Sequence, residues 1–104
     1  MARVDVFANP FVPERGRTPY VLGVQNDHLG SLATHVVIPL GSPESFGTPA
    51  SGLDPVLVGD GQRLVLDTAS LAPVPNSLLN NPIAGSGPWR DDVLDALDTL
   101  FGSY

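Results

Sequence analysis

The apolar positions of this chain change period once, near its end. RVDVFA, residues 3–8, alternates so that Val4 and Val6 share one side, which predicts a half-buried strand. YVLGVQN, from Tyr20, and ATHVVIPL, ending at Leu40, are apolar and rich in β-branched residues, with the short stretch DHLGSL between them. They predict two neighbouring strands, with Pro39 near a strand end because proline cannot donate to a ladder. PVLVGDGQRLVLD, residues 55–67, sets Gly59-Asp60-Gly61 between two apolar runs and predicts a tight hairpin, since such turns need the positive φ that glycine tolerates. Beyond residue 88 the period lengthens. Val93, Leu94, Leu97, Leu100 and Phe101 recur at spacings of three and four, while Asp91, Asp92, Asp95 and Asp98 fill the rest, predicting one amphipathic helix. Pro88 suits its first position, the early aspartates suit its dipole, and Gly102 suits its stop.

The remaining segments read as loops. NPFVPERGRTP, residues 9–19, predicts a mobile surface loop of the kind that carries recognition, and GSPESFGTPASG, residues 41–52, has no sustained period. Residues 68–85 contain Pro73, Pro75 and Pro82 and predict irregular strands and turns.

Composition narrows the picture. The 104 residues are 42% hydrophobic and 15% charged, enough for one core, and no repeat or internal boundary divides them, so a single domain over 1–104 is expected. Eleven glycines and eleven prolines favour short strands over a helical bundle. With no cysteine, no signal-like apolar stretch and no membrane-length apolar run, a cytoplasmic protein without membrane attachment is expected. The net charge of −6 sets eleven acids against five arginines, Arg3, Arg15, Arg17, Arg63 and Arg90, scattered along the chain. Direct nucleic-acid binding, which needs clustered cations to release counterions, is not expected.

Candidate chemistry is sparse. Ser31, His28 and Asp27 supply the residue types of a hydrolytic triad, but closeness in one loop does not make nucleophile and base converge. His28 and His35 lack a third histidine or a cysteine to complete a zinc site, the helix aspartates suit a wet outer face, and VGDGQ, residues 58–62, is too short for a phosphate loop. No enzymatic activity, metal or cofactor is expected. Surface recognition remains, with Phe101 and Tyr104 near the end of the chain as its most conspicuous candidates.

PYVLGVQNDHLGSLATHVVIPL, residues 19–40, then LDPVLVGDGQRLVLDTASLAPVP, residues 53–75, and RDDVLDALDTLF, residues 90–101, together resemble the CcdB toxin family over essentially the whole chain. The resemblance implies a mainly β (α+β) fold: an SH3-like β barrel of the CcdB/MazF toxin type, with a small extra sheet and one C-terminal α-helix, forming a homodimer. It implies the toxin half of a toxin–antitoxin system, of the sort associated with plasmid maintenance. Such a toxin poisons DNA gyrase by wedging against its A subunits, and a cognate CcdA-like antitoxin neutralises it. By aligned position it implies a gyrase-binding surface of His28, Leu29, Asp98, Phe101, Gly102, Ser103 and Tyr104. Where the family pattern ends Phe-Trp-Gly-Ile, this chain reads Phe-Gly-Ser-Tyr, so Gly102 stands at the tryptophan's place. Trp89, 13 positions before Gly102 and so about 20 Å away along a helix, does not reach that spot.

Two alternatives accompany this expectation. One is a CcdB-like protein-binding module that has lost gyrase poisoning because Gly102 replaces the tryptophan. The other is an endoribonuclease, since the related MazF/Kid toxins share the barrel, with Arg15, Arg17, His28 or Thr34 as the candidate groups.

Overall fold

In the computed structural model, which describes residues 4–24, 33–59, 61–85 and 87–102, every strand pairing is antiparallel. The strands are β1 (Asp5–Ala8), β2 (Tyr20–Gly23), β3 (Thr34–Gly41), β4 (Val56–Gly59), β5 (Gln62–Leu66), β6 (Ala72–Pro75) and β7 (Ala84–Gly85). They form one curled sheet in the order β4-β5-β3-β2-β1-β7, with β6 attached to β3 beside that path. The helices are α1 (Pro43–Phe46), a single turn, and α2 (Arg90–Phe101). This is a half-barrel closed by a terminal helix, as the predicted strands and helix required.

Strand alternation divides the core into two layers. Val4, Val6, Leu22, Ile38, Leu40, Leu57, Leu64 and Leu66 face inward and meet Val93 and Ala96 of α2. Phe7, Val21, Val37 and Val74 take the alternate positions and form a smaller cluster on the opposite face. The shared face expected for Val4 and Val6 is therefore the barrel interior.

β3 is long enough to serve both layers. Its first half, Thr34–Val37, pairs with β6, and Leu40 and Gly41 pair with β5, so β6 branches from the main path of the sheet along this strand. Pro39 lies within β3, two residues from its end, as expected. It is tolerated there because its backbone faces the gap where β6 gives way to β5, and its carbonyl still accepts from the Asp67 N–H at 3.0 Å.

Two loop expectations change, and that of irregular strands and turns over 68–85 holds. Residues 9–19 are exposed from Phe11 to Arg17, but they contain a 3-10 turn at Val12–Glu14 and are tied at the base. Buried Asn9 donates from Nδ2 to the Thr18 carbonyl at 2.8 Å and accepts the Phe11 N–H on Oδ1 at 2.9 Å. Residues 41–52 hold α1, and residues 68–85 hold two 3-10 turns, Thr68–Ser70 and Asn76–Leu78, flanking β6. Pro88 falls in a 3-10 turn, Gly87–Trp89, so α2 starts two residues later than predicted.

The predicted hairpin is present: Gly59 faces Gln62 across the turn, and Gly61 has φ +74°. Gly23 has a different role. A Cβ there would lie 2.7 Å from His35 Nε2 and 2.9 Å from Phe7 Cε2. Its bare backbone admits the edge-on packing of Phe7 on His35, whose ring centroids are 5.9 Å apart at 69°.

Candidate functional site

α2 shows its last turn to solvent. Val93 and Ala96 are fully buried, Leu94, Leu97 and Leu100 are half-buried, and Phe101 is 71% exposed. Phe101 thus leaves the apolar stripe that the spacing assigned to it, because the stripe that docks centres on Val93, Ala96, Leu97 and Leu100. A residue one position beyond Leu100 turns about 100° away from it. The helix ends as predicted: Gly102 adopts φ +67°, ψ +40°, and its N–H donates back to the Asp98 carbonyl.

The electrostatics of this turn are one-sided. Asp98 is exposed beside Phe101, Asp95 is exposed one turn earlier, and the helix C-terminus adds the negative end of its dipole. No basic residue occupies the last turn. An apolar ring amid negative potential suits a partner surface that offers a cationic group over or beside a ring.

Of the seven residues expected to contact gyrase, Asp98, Phe101 and Gly102 are brought together on this turn. His28, Leu29, Ser103 and Tyr104 lie outside the described residues, as do Ser31 and Asp27 of the candidate triad. Trp89 is engaged at the other end of α2, where its indole N–H donates to the Val58 carbonyl at 3.1 Å.

The candidate RNA-cleaving groups do not assemble in what is described. Arg15 Nε donates to the Asn9 carbonyl at 2.7 Å and braces the 9–19 loop, whereas Thr34 starts β3 opposite Pro75. Arg17 is exposed on that loop, and His28 is outside the described residues. Among the described residues no group of three or more His, Cys, Asp or Glu side chains is placed to hold a metal ion, and no helix is long and apolar enough to cross a membrane.

One concave feature had no signal in the sequence. A groove crosses the sheet face opposite α2, with cavities of about 410 and 300 Å³ meeting at Glu14, Thr18, Pro39 and Asp67. These residues come from the first loop, the later half of β3 and the residue after β5, so only folding brings them together.

The family model described as CcdB protein matches residues 3–102. No curated protein matches the chain.

Proposed function

The chain belongs to the CcdB family, and from this we infer that it is the toxin of a toxin–antitoxin pair whose target is DNA gyrase. It binds the gyrase A subunit as a homodimer in the cytoplasm, and a cognate CcdA-like antitoxin neutralises it. The toxin itself makes and breaks no covalent bond. It acts by binding one gyrase state more tightly than the state that reseals DNA, which shifts the population toward cleaved complexes.

The observation that supports this most is the family match across 3–102, joined to a helix end that leaves Phe101 exposed where the family's contact surface is expected. The proposed contact set is His28, Leu29, Asp98, Phe101, Gly102, Ser103 and Tyr104. The test is incubation of the purified protein with gyrase and supercoiled DNA. Linear DNA that appears after denaturation of gyrase, in proportion to toxin added, is the expected result. Its absence at toxin concentrations well above those of gyrase would refute the proposal.

A second function has its own support in Gly102. Its left-handed φ is one that a tryptophan adopts only with strain, so this backbone suits glycine and not the family's tryptophan. A module that keeps its antitoxin and dimer contacts but no longer poisons gyrase follows from that substitution. Stable antitoxin capture with no gyrase-dependent cleavage identifies this case.

A further inference from the structure

The curled sheet does not close on itself: among the described strands β4 and β7 are its two ends, and no pairing joins them. A cavity of about 310 Å³ lies in this opening, with Val58 and Gly59 of β4 on one side and Ile83 and Gly85, beside and within β7, on the other. Strand alternation makes the cavity part of the barrel interior. Tyr20 is two positions from Leu22 on β2, and Gln62 is two positions from Leu64 on β5, so both belong to the face that builds the larger core layer. Val6 and Leu64, members of that layer, line the cavity too. α2 covers the neighbouring part of the interior with Val93 and Ala96, and the turn before it supplies Trp89 to the cavity wall.

The lining has a definite chemistry. None of the described residues around the cavity is charged, in a chain with sixteen acidic and basic residues. Two rings, Tyr20 and Trp89, are half-buried against the core, and the bond from the Trp89 indole N–H to the Val58 carbonyl holds the second ring in place. The polar side-chain groups are the Tyr20 hydroxyl and the Gln62 amide, and among the described residues neither has a hydrogen-bond partner.

We propose that this cavity binds a neutral, planar aromatic small molecule of one or two fused rings that carries a hydroxyl or amide-like group. The ring system packs with Trp89, Tyr20, Val6 and Leu64, and the polar group bonds to Tyr20 and Gln62. Charge selects against an ionic ligand, which would shed its hydration and find no counter-charge. A wholly apolar ligand would take water from Tyr20 and Gln62 and return no hydrogen bond. Size selects against anything much larger, because ligand cavities run from about 300 to 1,000 Å³ and this one is at the lower end. A peptide strand laid along β4 is a poorer occupant, since the outward-facing Val58 carbonyl it would need is already taken by Trp89. The site lies beyond the toxin function proposed above and does not depend on it.

The experiment is a two-dimensional amide NMR titration of the full chain with three probes of one shape: 2-naphthol, naphthalene and 2-naphthoate. Trp89 is the sole tryptophan, so its indole N–H gives a single reporter inside the site. The expected result is that 2-naphthol shifts that signal and the amides of Gly59, Gln62 and Leu64, that naphthalene binds about fivefold more weakly, and that the anionic naphthoate binds more weakly still. In the doubly substituted Tyr20→Phe, Gln62→Leu protein, which keeps both side-chain sizes, 2-naphthol and naphthalene should bind alike. Equal affinity of the three probes for the unaltered protein overturns the proposal, as do shifts centred on Phe101 or none at all. Sedimentation of the unaltered protein with and without 2-naphthol is the second measurement: an unchanged mass is expected, and a fall in mass overturns the proposal by assigning the cavity to a second copy of the chain.

Discussion

The indole N–H of Trp89 donates to the carbonyl oxygen of Val58 at 3.1 Å, fastening the turn before α2 to the outer edge of the sheet. The Leu66 N–H bonds to the Pro55 carbonyl, so alternate residues of β4 face β5 and Val58 faces away from it. The bond caps one acceptor on an end strand, the kind of exposed edge that otherwise recruits other chains. Trp89→Phe keeps most of the ring and removes the donor. It should lower unfolding free energy by about 1 kcal/mol in urea titration followed by far-UV circular dichroism. Gly59→Ala should act on the same contact, because its Cβ would sit 3.0 Å from Trp89 Cζ2. Trp89 is the sole tryptophan, so a shift in intrinsic fluorescence is the direct readout.

The space left by Gly23 supplies a second test. Gly23→Ala puts a methyl group 2.7 Å from His35 Nε2 and 2.9 Å from Phe7 Cε2, and both rings lie in a packed layer between β1, β2 and β3. Overpacking of this kind costs about 1–3 kcal/mol, which a lowered urea midpoint with unchanged slope would report. Gly23→Ala combined with Phe7→Leu should recover part of the loss. The chosen partner narrows the crowded ring to an aliphatic side chain and leaves His35 in place.

Asn9 governs the loop that follows β1. Its side chain is 2% exposed, spans from Thr18 to Phe11, and has its own carbonyl bound by Arg15. Asn9→Ala takes the partner from the part-buried Thr18 carbonyl and from the Phe11 N–H, so stability should fall by about 1–2 kcal/mol. Limited proteolysis checks the local effect: cleavage after Arg15 or Arg17 by trypsin should quicken far more than cleavage after Arg63, which lies in β5.

The strands were legible in the sequence because their signals are local. Val4 and Val6 alternate, Gly59 and Gly61 bracket a turn, and the step to helical spacing at Val93 marks α2. Asn9 gave no such signal: the same residue type is common in loops, and only its burial makes it a brace. Pro39 was legible as a residue near a strand end, but not the change of neighbour from β6 to β5 beside it that leaves its missing donor unneeded. At the candidate site the helix end was legible, because Gly102 is a local stop. The exposure of Phe101 was not, because the helical spacing alone groups it with Leu97 and Leu100. Which of the three is covered depends on how α2 rotates when Val93 and Ala96 dock. The groove at Glu14 and Asp67 was illegible altogether, being assembled from segments more than 50 residues apart in the chain.

Phe101 and Val93 separate binding from stability on one helix. Phe101 is 71% exposed, so Phe101→Ala should change unfolding free energy by less than about 0.5 kcal/mol. If its ring anchors gyrase, the loss of a hot-spot aromatic, about 2 kcal/mol, should raise the toxin concentration needed for half-maximal DNA cleavage roughly thirtyfold. Val93 is fully buried between α2 and the barrel, so Val93→Ala should cost about 1–3 kcal/mol of stability through lost contact and a cavity. At a temperature where that variant is still folded, its cleavage activity should match the unaltered protein, because the helix end it supports is unchanged. The reverse pattern, Phe101→Ala destabilised with cleavage intact, would place the ring in the fold and the gyrase contact elsewhere. Gly102→Ala completes the series: a side chain at φ +67° should cost about 1 kcal/mol by fraying the last turn, and cleavage should weaken in step with the disordering of Phe101.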